Sequence, residues 1–364
     1  MTRVPRTDLE ALALGILEAL SAPADVAEIV SASLIDADMR EYGTHGVGLL
    51  PLYADMIADG ALDPVAEPRI TTEHRGTLMV DGERGFGHLT GTVIAEVGTA
   101  TAERNATVVA GFKNASHIGR TGELAQRIAA DGKIMLAYTN SGGGAKNTAP
   151  VGSHERKLVP NTIAAGIPTF GQLPFDIVVD FATSQVAGST VRRYNRRGEP
   201  LHEEWTTTES GEPVTNPAEF MAGTGALLPL GGRVTGHKGY GLALTAELLA
   251  GFVGGEAVIG EADPTWFANG GVVIIIDPTA FVPREQLTAR INALSAHLRV
   301  DGVRLPGEGA HKRRERALTD GVRVHSHDLM TVVNLAERQG VDVPETVRSA
   351  VEGLEDPDDD VRTW

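Results

Sequence analysis

The 364-residue chain contains no cysteine. Without a thiol, disulfide bonds, thiolate catalysis and zinc sites with cysteine ligands are all excluded. Long apolar runs are also missing, because charged residues interrupt each one before it reaches the roughly 20 residues that a membrane helix needs. The N-terminal MTRVPRTDLEALALGILEAL has no continuous apolar segment of the kind that a signal peptide carries. We therefore expect a cytoplasmic protein that does not contact a membrane.

Positive charge is scarce in this sequence. Lysine and arginine number 32 against 48 aspartates and glutamates, which gives a formal net charge of -16. No long cluster of basic residues with interleaved aromatic residues occurs. Because binding to a phosphate backbone requires local positive charge, we expect no nucleic-acid partner.

The glycine motif of the Rossmann fold, G-x-G-x-x-G between a strand and a helix, is missing as well. The nearest segments, GERGFG and GHKGYG, space their glycines in the opposite order, and neither clearly follows a strand and opens a helix. A P-loop is also absent. If this protein binds a dinucleotide, it must do so with another fold.

Strand and helix patterns alternate through the middle of the chain. Short apolar segments typical of strands occupy 76–82, 106–112, 133–139, 175–183 and 270–278, and amphipathic segments typical of helices occupy 90–106 and 121–132. Apolar residues at helical spacing also fill 8–20 and 24–43 near the N-terminus and 326–340 near the C-terminus. These patterns predict a layered α/β core with helical N-terminal and C-terminal parts.

Five separated motifs resemble those of the type 2 malate/lactate dehydrogenase family, in the same order and spacing. Within the family, Gly48-Leu49 and HIGR are most similar to the branch named hydroxycarboxylate dehydrogenase. The motifs cover nearly the whole chain: DADMREYGTHGVGLLPLY (36–53), ASHIGRTGELAQ (115–126), VVDFATSQVAG (178–188), the segment 225–252 with GHKGYG, and RLPGE (304–308).

The resemblance implies an enzyme that uses NAD or NADP to interconvert a small 2-oxo acid and a 2-hydroxy acid. It also implies a three-layer α/β sandwich with a non-Rossmann dinucleotide-binding core, working as a homodimer. We expect a helical domain at 1–75 that carries the THG motif and is completed by 312–364, and a dinucleotide-binding α/β domain at 76–311. A cyclic ketimine reductase, and a non-catalytic dimer on the same scaffold, are the alternatives.

Two histidines lie in matched motifs, and the resemblance implies that both belong to the active site. His45 in THG matches the family's proposed proton donor, and His117 matches its second active-site histidine. Hydride reduction of a ketone leaves an alkoxide that needs a proton, which an imidazole is suited to supply at neutral pH. His117 also falls where a strand pattern ends and a helix pattern begins, a place where α/β sheets expose functional groups. Which histidine is the donor stays open.

Asp180 ends an apolar strand pattern, where a carboxylate is costly unless it is paired. It orients a catalytic histidine, contacts the cofactor, or caps the backbone of Thr183 or Ser184. Lys238 precedes an apolar helix pattern, so its charge and the free amides of the helix together favour an anion such as pyrophosphate. The cofactor-binding residues expected by resemblance are Asn161, Asp180, Ala182, Thr183, Ser184, His237, Lys238, Pro306, Gly307 and Glu308.

The substrate carboxylate needs a cation that this chain does not have at its usual place. Many family members carry an arginine at the position of Leu49. Arg120 lies three residues after His117, so the two share one side if a helix starts there, and its guanidinium can bind a carboxylate through two hydrogen bonds. A surface salt bridge is the other interpretation of Arg120. The expected substrate-binding residues are Arg120, Thr44, Tyr53 and Asn140.

Two further departures concern the cofactor. VPNT at 159–162 and AGST at 187–190 stand where the family usually has GTNP and ARGK, which leaves the choice between NAD and NADP open. HSHD at 325–328 has two histidines but no third ligand in view, so we expect no metal.

Overall fold

The computed structural model describes residues 1–142, 144, 146–261 and 268–354. The helices in these residues are α1 (Arg6–Ala19), α2 (Ala24–Met39), α3 (Leu50–Ala58), α4 (Gly87–Asn105), α5 (Thr121–Ala130), α6 (Gly188–Arg197), α7 (Pro217–Met221), α8 (Gly232–Leu249), α9 (Arg284–Leu298), α10 (Glu308–Asp320), α11 (Ser326–Arg338) and α12 (Glu345–Val351). The strands are β1 (Thr2–Val4), β2 (Arg69–His74), β3 (Thr77–Asp81), β4 (Thr107–Ala115), β5 (Ile134–Asn140), β6 (Thr162–Ile167), β7 (Ile177–Ala182), β8 (Thr206–Thr207), β9 (Ala226–Leu227), β10 (Asn269–Ile276) and β11 (Val322–Val324).

The main sheet has seven strands in the order β2-β3-β4-β10-β5-β6-β7. Only β3 and β4 pair in parallel within it, and the other neighbours pair antiparallel. A Rossmann core is instead mostly parallel, because helical crossovers join its strands. The sheet order therefore confirms the non-Rossmann core that the missing glycine motif predicted.

Helices cover both faces of this sheet. Val108, Ala110 and Phe112 of β4 point to the face that α4 and α5 cover, where they are fully buried. On the other face α8 and the π-helical turn at 250–254 approach the strands closely, and a Cβ on Gly111 would lie 2.4 Å from the Val253 carbonyl oxygen. The arrangement confirms the predicted three-layer α/β sandwich.

The helical part has a hydrophobic core of its own, made by α1, α2, α3, α11 and α12 around the small β1-β11 sheet. N-terminal and C-terminal segments thus pack together, with the C-terminal one described to Leu354. The expected domain boundary at residue 75 falls in the turn between β2 and β3 of the main sheet, and the division into two domains stays a prediction. The sequence patterns did not predict β2, because all six of its residues are exposed and show no apolar alternation.

Candidate active site

The two histidines singled out in the sequence lie against each other. His45 belongs to the loop between α2 and α3, and His117 to the loop between β4 and α5. Their ring centroids are 5.5 Å apart with an interplanar angle of 27°, and both residues are half-buried. The packing of the helical part on the sheet therefore brings both imidazoles to one site, at the strand-to-helix turn expected for His117.

Tyr53 joins the histidine pair from α3. Its side chain is fully buried, and its hydroxyl oxygen lies 2.8 Å from Nδ1 of His117. Burial raises the pKa of Tyr53 above its ordinary value, so the group stays a phenol. When this phenol donates to Nδ1, the proton of neutral His117 is on Nε2, the nitrogen that Tyr53 does not contact.

Both imidazoles are neutral at pH 7. Desolvation lowers the pKa of His45 to about 4, with a further contribution from the positive charge of Arg120. Desolvation, and next the neighbouring His45 and His88, hold the pKa of His117 well below its ordinary value. The pair is therefore suited to accept a proton from an alcohol, or to pass on the proton that a neutral ring carries.

The THG loop is anchored on a carboxylate of α2. The backbone N–H of Val47 donates to Asp38 Oδ2 at 2.8 Å, and burial raises the pKa of Asp38 to about 7. Gly46 packs so closely on this side chain that a Cβ there would lie 1.9 Å from Asp38 Oδ1. Asp38 is a positioning residue that the sequence analysis missed, although it stands in the same motif as His45. Thr44 Oγ1 lies 3.0 Å from His45 Nδ1.

Arg120 is buried and already has partners. Its guanidinium donates to Gln126 and, at 3.2 Å, to Asp36 of α2, and its central carbon lies 5.0 Å from the Tyr42 ring centroid. The expectation that His117 and Arg120 share a helical turn is wrong, because α5 begins at Thr121 and Arg120 is extended, with φ -85° and ψ 112°. Glycine at 119, with φ +76°, keeps the preceding segment out of the helix. Arg120 Nε has no hydrogen-bond partner among the described residues.

Asp180 of β7 connects the sheet edge to the start of α5. Its carboxylate accepts the backbone N–H of Gly122 at 2.6 Å, a position where a negative charge is favourable at a helix N-terminus. This contact differs from the histidine contact and from the cap of Thr183 or Ser184 that the sequence suggested. It places the Asp180 carboxylate at Gly122, five residues after His117 in the chain, and close to Arg120.

Most of the expected cofactor residues gather where β7 ends. Leu230 donates its backbone N–H to the Thr183 carbonyl, which holds this strand end against the start of α8. His237 and Lys238 are exposed there, just after a kink at Thr235. Thr183 Oγ1 is buried with no hydrogen-bond partner among the described residues. A free hydroxyl beside an uncapped, lysine-bearing helix start fits a phosphate-containing ligand.

Of the other expected residues, Asn161 adjoins this strand end, since its carbonyl oxygen accepts the Thr183 N–H at 3.0 Å, whereas Pro306, Gly307 and Glu308 lie apart from it. Pro306 and Gly307 adjoin the beginning of β7, where a Cβ on Gly307 would lie 2.7 Å from the Asp176 carbonyl oxygen. Glu308 accepts from Arg299 and Lys312, which together lower its pKa to about 2. The Asn140 and Asn161 side chains are buried and both donate to Glu247 of α8, so in this structure they tie strands to that helix.

A third histidine, His88 of α4, completes a cluster of aromatic rings. Its ring centroid lies 6.1 Å from that of His117 and 6.0 Å from that of Tyr53. It is buried, and its pKa is lowered to about 4 by desolvation and by His45. Sequence analysis did not find it, because GHLTG carries no pattern that distinguishes a buried polar ring from a solvent-facing one.

Within the described ranges, no helix is long and apolar enough to cross a membrane. The same residues contain no group of three or more His, Asp or Glu side chains that could hold a metal ion. His325 and His327 of HSHD stack on each other with ring centroids 5.7 Å apart, and His325 accepts from Arg197.

Comparison with known proteins places the chain among dehydrogenases. The model of the family described as malate/L-lactate dehydrogenase matches residues 4–332. A malate dehydrogenase of Pyrococcus abyssi is 31% identical over 93% of this chain and 95% of its own length. An L-lactate dehydrogenase of Cupriavidus necator is 30% identical over 94% of this chain and 99% of its own length.

Two further relatives bear on fold and chemistry. The solved structure of malate dehydrogenase from Pyrococcus horikoshii superposes with a TM-score of 0.82 at 27% identity, covering 94% of this chain and 97% of that one. A Δ1-pyrroline-2-carboxylate/Δ1-piperideine-2-carboxylate reductase of Pseudomonas putida is 29% identical over 92% of this chain and 97% of its own length.

Proposed function

Because the chain belongs to the malate/L-lactate dehydrogenase family, we propose that it transfers a hydride between a nicotinamide cofactor and the second carbon of a small 2-oxo or 2-hydroxy acid. The observation that carries this proposal is the stacked His45-His117 pair with Tyr53 bound to His117. Asp180 and the start of α5 link this pair to the strand end where the expected cofactor residues gather.

The nicotinamide ring, when bound, gives or accepts the hydride. His117 supplies the proton that neutralises the new alkoxide, from the Nε2 position that Tyr53 leaves free. The negative charge of the alkoxide then lies on the hydrogen-bonded Tyr53-His117 pair, and a proton from solvent returns the pair to its neutral state. In the oxidation direction the ring is in the other neutral tautomer, with its Nδ1 proton donated to the Tyr53 oxygen, and its free Nε2 accepts the alcohol proton. His45 packs on His117 and limits the orientations of that ring.

The proposed cofactor site consists of groups that can still form hydrogen bonds with a ligand. We assign the phosphates to Lys238 and the uncapped start of α8, and the ring end of the cofactor to the residues from Asp180 to Ser184. Either NAD or NADP is compatible with this assignment. The homodimer remains part of the proposal, supported by apolar side chains exposed along α8 and its π-helical turn: Val234, Leu248 and Phe252. A cytoplasmic location remains an expectation from the sequence.

A cyclic ketimine is the second candidate substrate. The Pseudomonas putida relative reduces a C=N bond beside a carboxylate according to its name, and the same hydride, proton and carboxylate contacts would serve that reaction. The third possibility, a non-catalytic dimer, is disfavoured because a scaffold without catalysis has no need to keep a buried tyrosine bonded to a half-buried histidine.

The test of the proposal is a substrate panel. Purified protein is mixed with NADH or NADPH and with pyruvate, oxaloacetate, sulfopyruvate or Δ1-piperideine-2-carboxylate, and loss of the reduced cofactor is followed by absorbance. We expect turnover with at least one 2-oxo acid, and a ketimine preference would select the second candidate. Failure to bind either cofactor in a fluorescence titration at millimolar concentration would leave only the non-catalytic scaffold.

Arg120 is our candidate for holding the substrate carboxylate. It is the cation that acts on His45, and its Nε–H is unpartnered among the described residues. Arg120→Ala should raise the Michaelis constant for the oxo acid on the order of 10²-fold, the loss of a charge-assisted contact worth a few kcal/mol. Arg120→Lys should recover part of this, because a point charge lacks the planar fork. Steady-state kinetics measure both.

Asp36→Asn is the matched control, because it removes the ion pair to Arg120 and keeps the arginine. We expect it to lower thermal stability while the Michaelis constant stays near that of the wild type. Two results would contradict this assignment. One is a Michaelis constant that is the same in wild type and in both Arg120 variants, and the other is a rise in Asp36→Asn as large as the rise in Arg120→Ala. Either result would show that Arg120 stabilises the fold and that another residue binds the carboxylate.

A further inference from the structure

Asn269, the first residue of β10, is a buried side chain beside the loop that carries His117. Its Oδ1 accepts the backbone N–H of Ile118, the residue after His117, at 2.9 Å. Its Nδ2 donates to the backbone carbonyl oxygen of Asn140, the last residue of β5, at 3.1 Å. One amide group therefore bonds the His117 loop to the end of a strand that neighbours β10.

The His117 loop lies outside the regular hydrogen bonding of the sheet. β4 ends at Ala115, which pairs with Asn269, and α5 begins only at Thr121. Before His117, the backbone N–H of Ser116 donates to the carbonyl oxygen of the loop that precedes α4, at 3.2 Å. After His117, the next backbone N–H is bonded to the Asn269 side chain. The position of His117 thus depends on a side chain as well as on the backbone.

The hydrogen bonds continue from Asn140 to a buried carboxylate of α8. Asn140 Nδ2 donates to the Ala257 carbonyl oxygen at 3.0 Å and lies 3.5 Å from Glu247 Oε1. The same Oε1 accepts the backbone N–H of Ile259 at 2.7 Å, and Glu247 Oε2 accepts Asn161 Nδ2 at 2.7 Å. Glu247 is 4% exposed, so these N–H groups replace the water that its carboxylate has lost.

Asn161 connects Glu247 to the strand end where the expected cofactor residues gather. It lies directly before β6, and its carbonyl oxygen accepts the Thr183 N–H, directly after β7, at 3.0 Å. These contacts cross five neighbouring strands of the sheet in the order β4-β10-β5-β6-β7. The residues whose side chains make the contacts are called the strand-end network: Asn269, Asn140, Glu247 and Asn161.

We propose that Asn269 is a positioning residue of the hydride reaction, which holds the His117 loop at a fixed distance from the cofactor-binding strand end through the strand-end network. The inference rests on the proposed function. There the carbonyl carbon accepts the hydride from the cofactor, and the carbonyl oxygen, about 1.2 Å away, accepts the proton from His117. The donors of hydride and proton must therefore keep their separation, since a misplacement of about 1 Å can cost 10²-fold in rate.

Asn269→Ala tests this role, because it removes both the acceptor of the Ile118 N–H and the donor to Asn140. We expect the turnover number per folded molecule to fall about 10- to 10²-fold, while the Michaelis constants of cofactor and substrate change less than about threefold. The stoichiometry of cofactor binding in a fluorescence titration counts the folded molecules. A residue that serves stability alone would leave the turnover number of those molecules unchanged, and that result would overturn the proposal.

Two further variants of β10 separate positioning from stability. Asn269→Asp keeps an acceptor for the Ile118 N–H and, when ionised, loses the donor to Asn140, so its turnover number should lie between those of wild type and Asn269→Ala. Ile275→Val is the matched control, because Ile275 is fully buried in the same strand and the loss of one methylene group lowers stability without a contact to the loop. We expect wild-type turnover in this control. Equal losses in Ile275→Val and Asn269→Ala would assign the defect to the stability of the strand and reject positioning.

Glu247→Gln tests the strand-end network at a distance from the His117 loop and remains available if Asn269→Ala does not fold. Glutamine keeps the size of the side chain, but its NH₂ group faces a donor, so the bond from Asn161 or from Ile259 is lost. We expect a lower turnover number, and wild-type turnover would count against the network. If the two residues act through one network, the double variant Asn269→Ala/Glu247→Gln should lose less than the product of the two single losses. A loss equal to that product would show that they act independently.

Hydrogen exchange reports on the anchoring of the loop without any need for turnover. The Ile118 N–H should exchange with solvent at least about tenfold faster in Asn269→Ala than in wild type, because it has lost its acceptor. An unchanged exchange rate would show that Asn269 does not hold the loop, whatever the activity. If exchange is faster but the wild-type protein reduces nothing in the substrate panel, the proposed function is refuted and the anchoring of the loop by Asn269 stands.

Discussion

His117→Ala is expected to lower the turnover number by about 10²- to 10⁴-fold, the usual contribution of a general acid. Nδ1 of His117 is bonded to the buried phenol of Tyr53. Its Nε2 is therefore the nitrogen that is left for the substrate. Steady-state kinetics on the best substrate of the panel measure the loss. A fluorescence titration should show unchanged cofactor affinity, because the expected cofactor residues lie on β7 and α8.

Two companion variants separate chemistry from positioning. Tyr53→Phe removes only the hydrogen bond to Nδ1, worth about 1 kcal/mol, so we expect a decrease of about tenfold or less. The loss of turnover in His45→Ala should lie between those two losses, since the described contact of His45 with His117 is ring packing. If His117→Ala kept near-normal turnover and His45→Ala lost it, the proton donor would be His45.

Gly46→Ala should damage both the stability and the activity of the protein. Its Cβ would lie 1.9 Å from Asp38 Oδ1, and the buried carboxylate cannot move away without giving up the Val47 N–H. We expect about 1 to 3 kcal/mol lower stability from overpacking. A shift of the His45 loop by about 1 Å should also lower kcat/KM about 10²-fold. Denaturant unfolding and kinetics measure the two effects separately.

Gly43→Ala is the control for that change. The new Cβ would lie 3.8 Å from the same Asp38 oxygen, an ordinary contact, in the same loop. Stability and kcat/KM should therefore stay close to wild type. Comparable losses in both variants would mean that the loop needs glycine for flexibility, and the proposed anchoring by Asp38 would be rejected.

The strands of the core and the helices of the N-terminal part were predictable because their patterns are local. β4, β5 and β10 carry short apolar segments, and each lies where its pattern predicted a strand. β2 was not predictable, since an exposed edge strand needs no apolar alternation. The start of α5 at Thr121 depended on the backbone of Gly119, which a residue pattern does not report.

The sequence by itself determined the absence of thiol chemistry, the non-Rossmann layered core and the presence of His45 and His117 in matched motifs. Those properties depend on residue identity and on short-range spacing. Only the tertiary structure decided that Tyr53 bonds to His117, that Asp36 binds Arg120, and that His88 lies behind the reacting rings. Each of these contacts joins segments far apart in the chain, so it exists only where α2, α3 and α4 pack beside β4. Local propensity does not determine that packing.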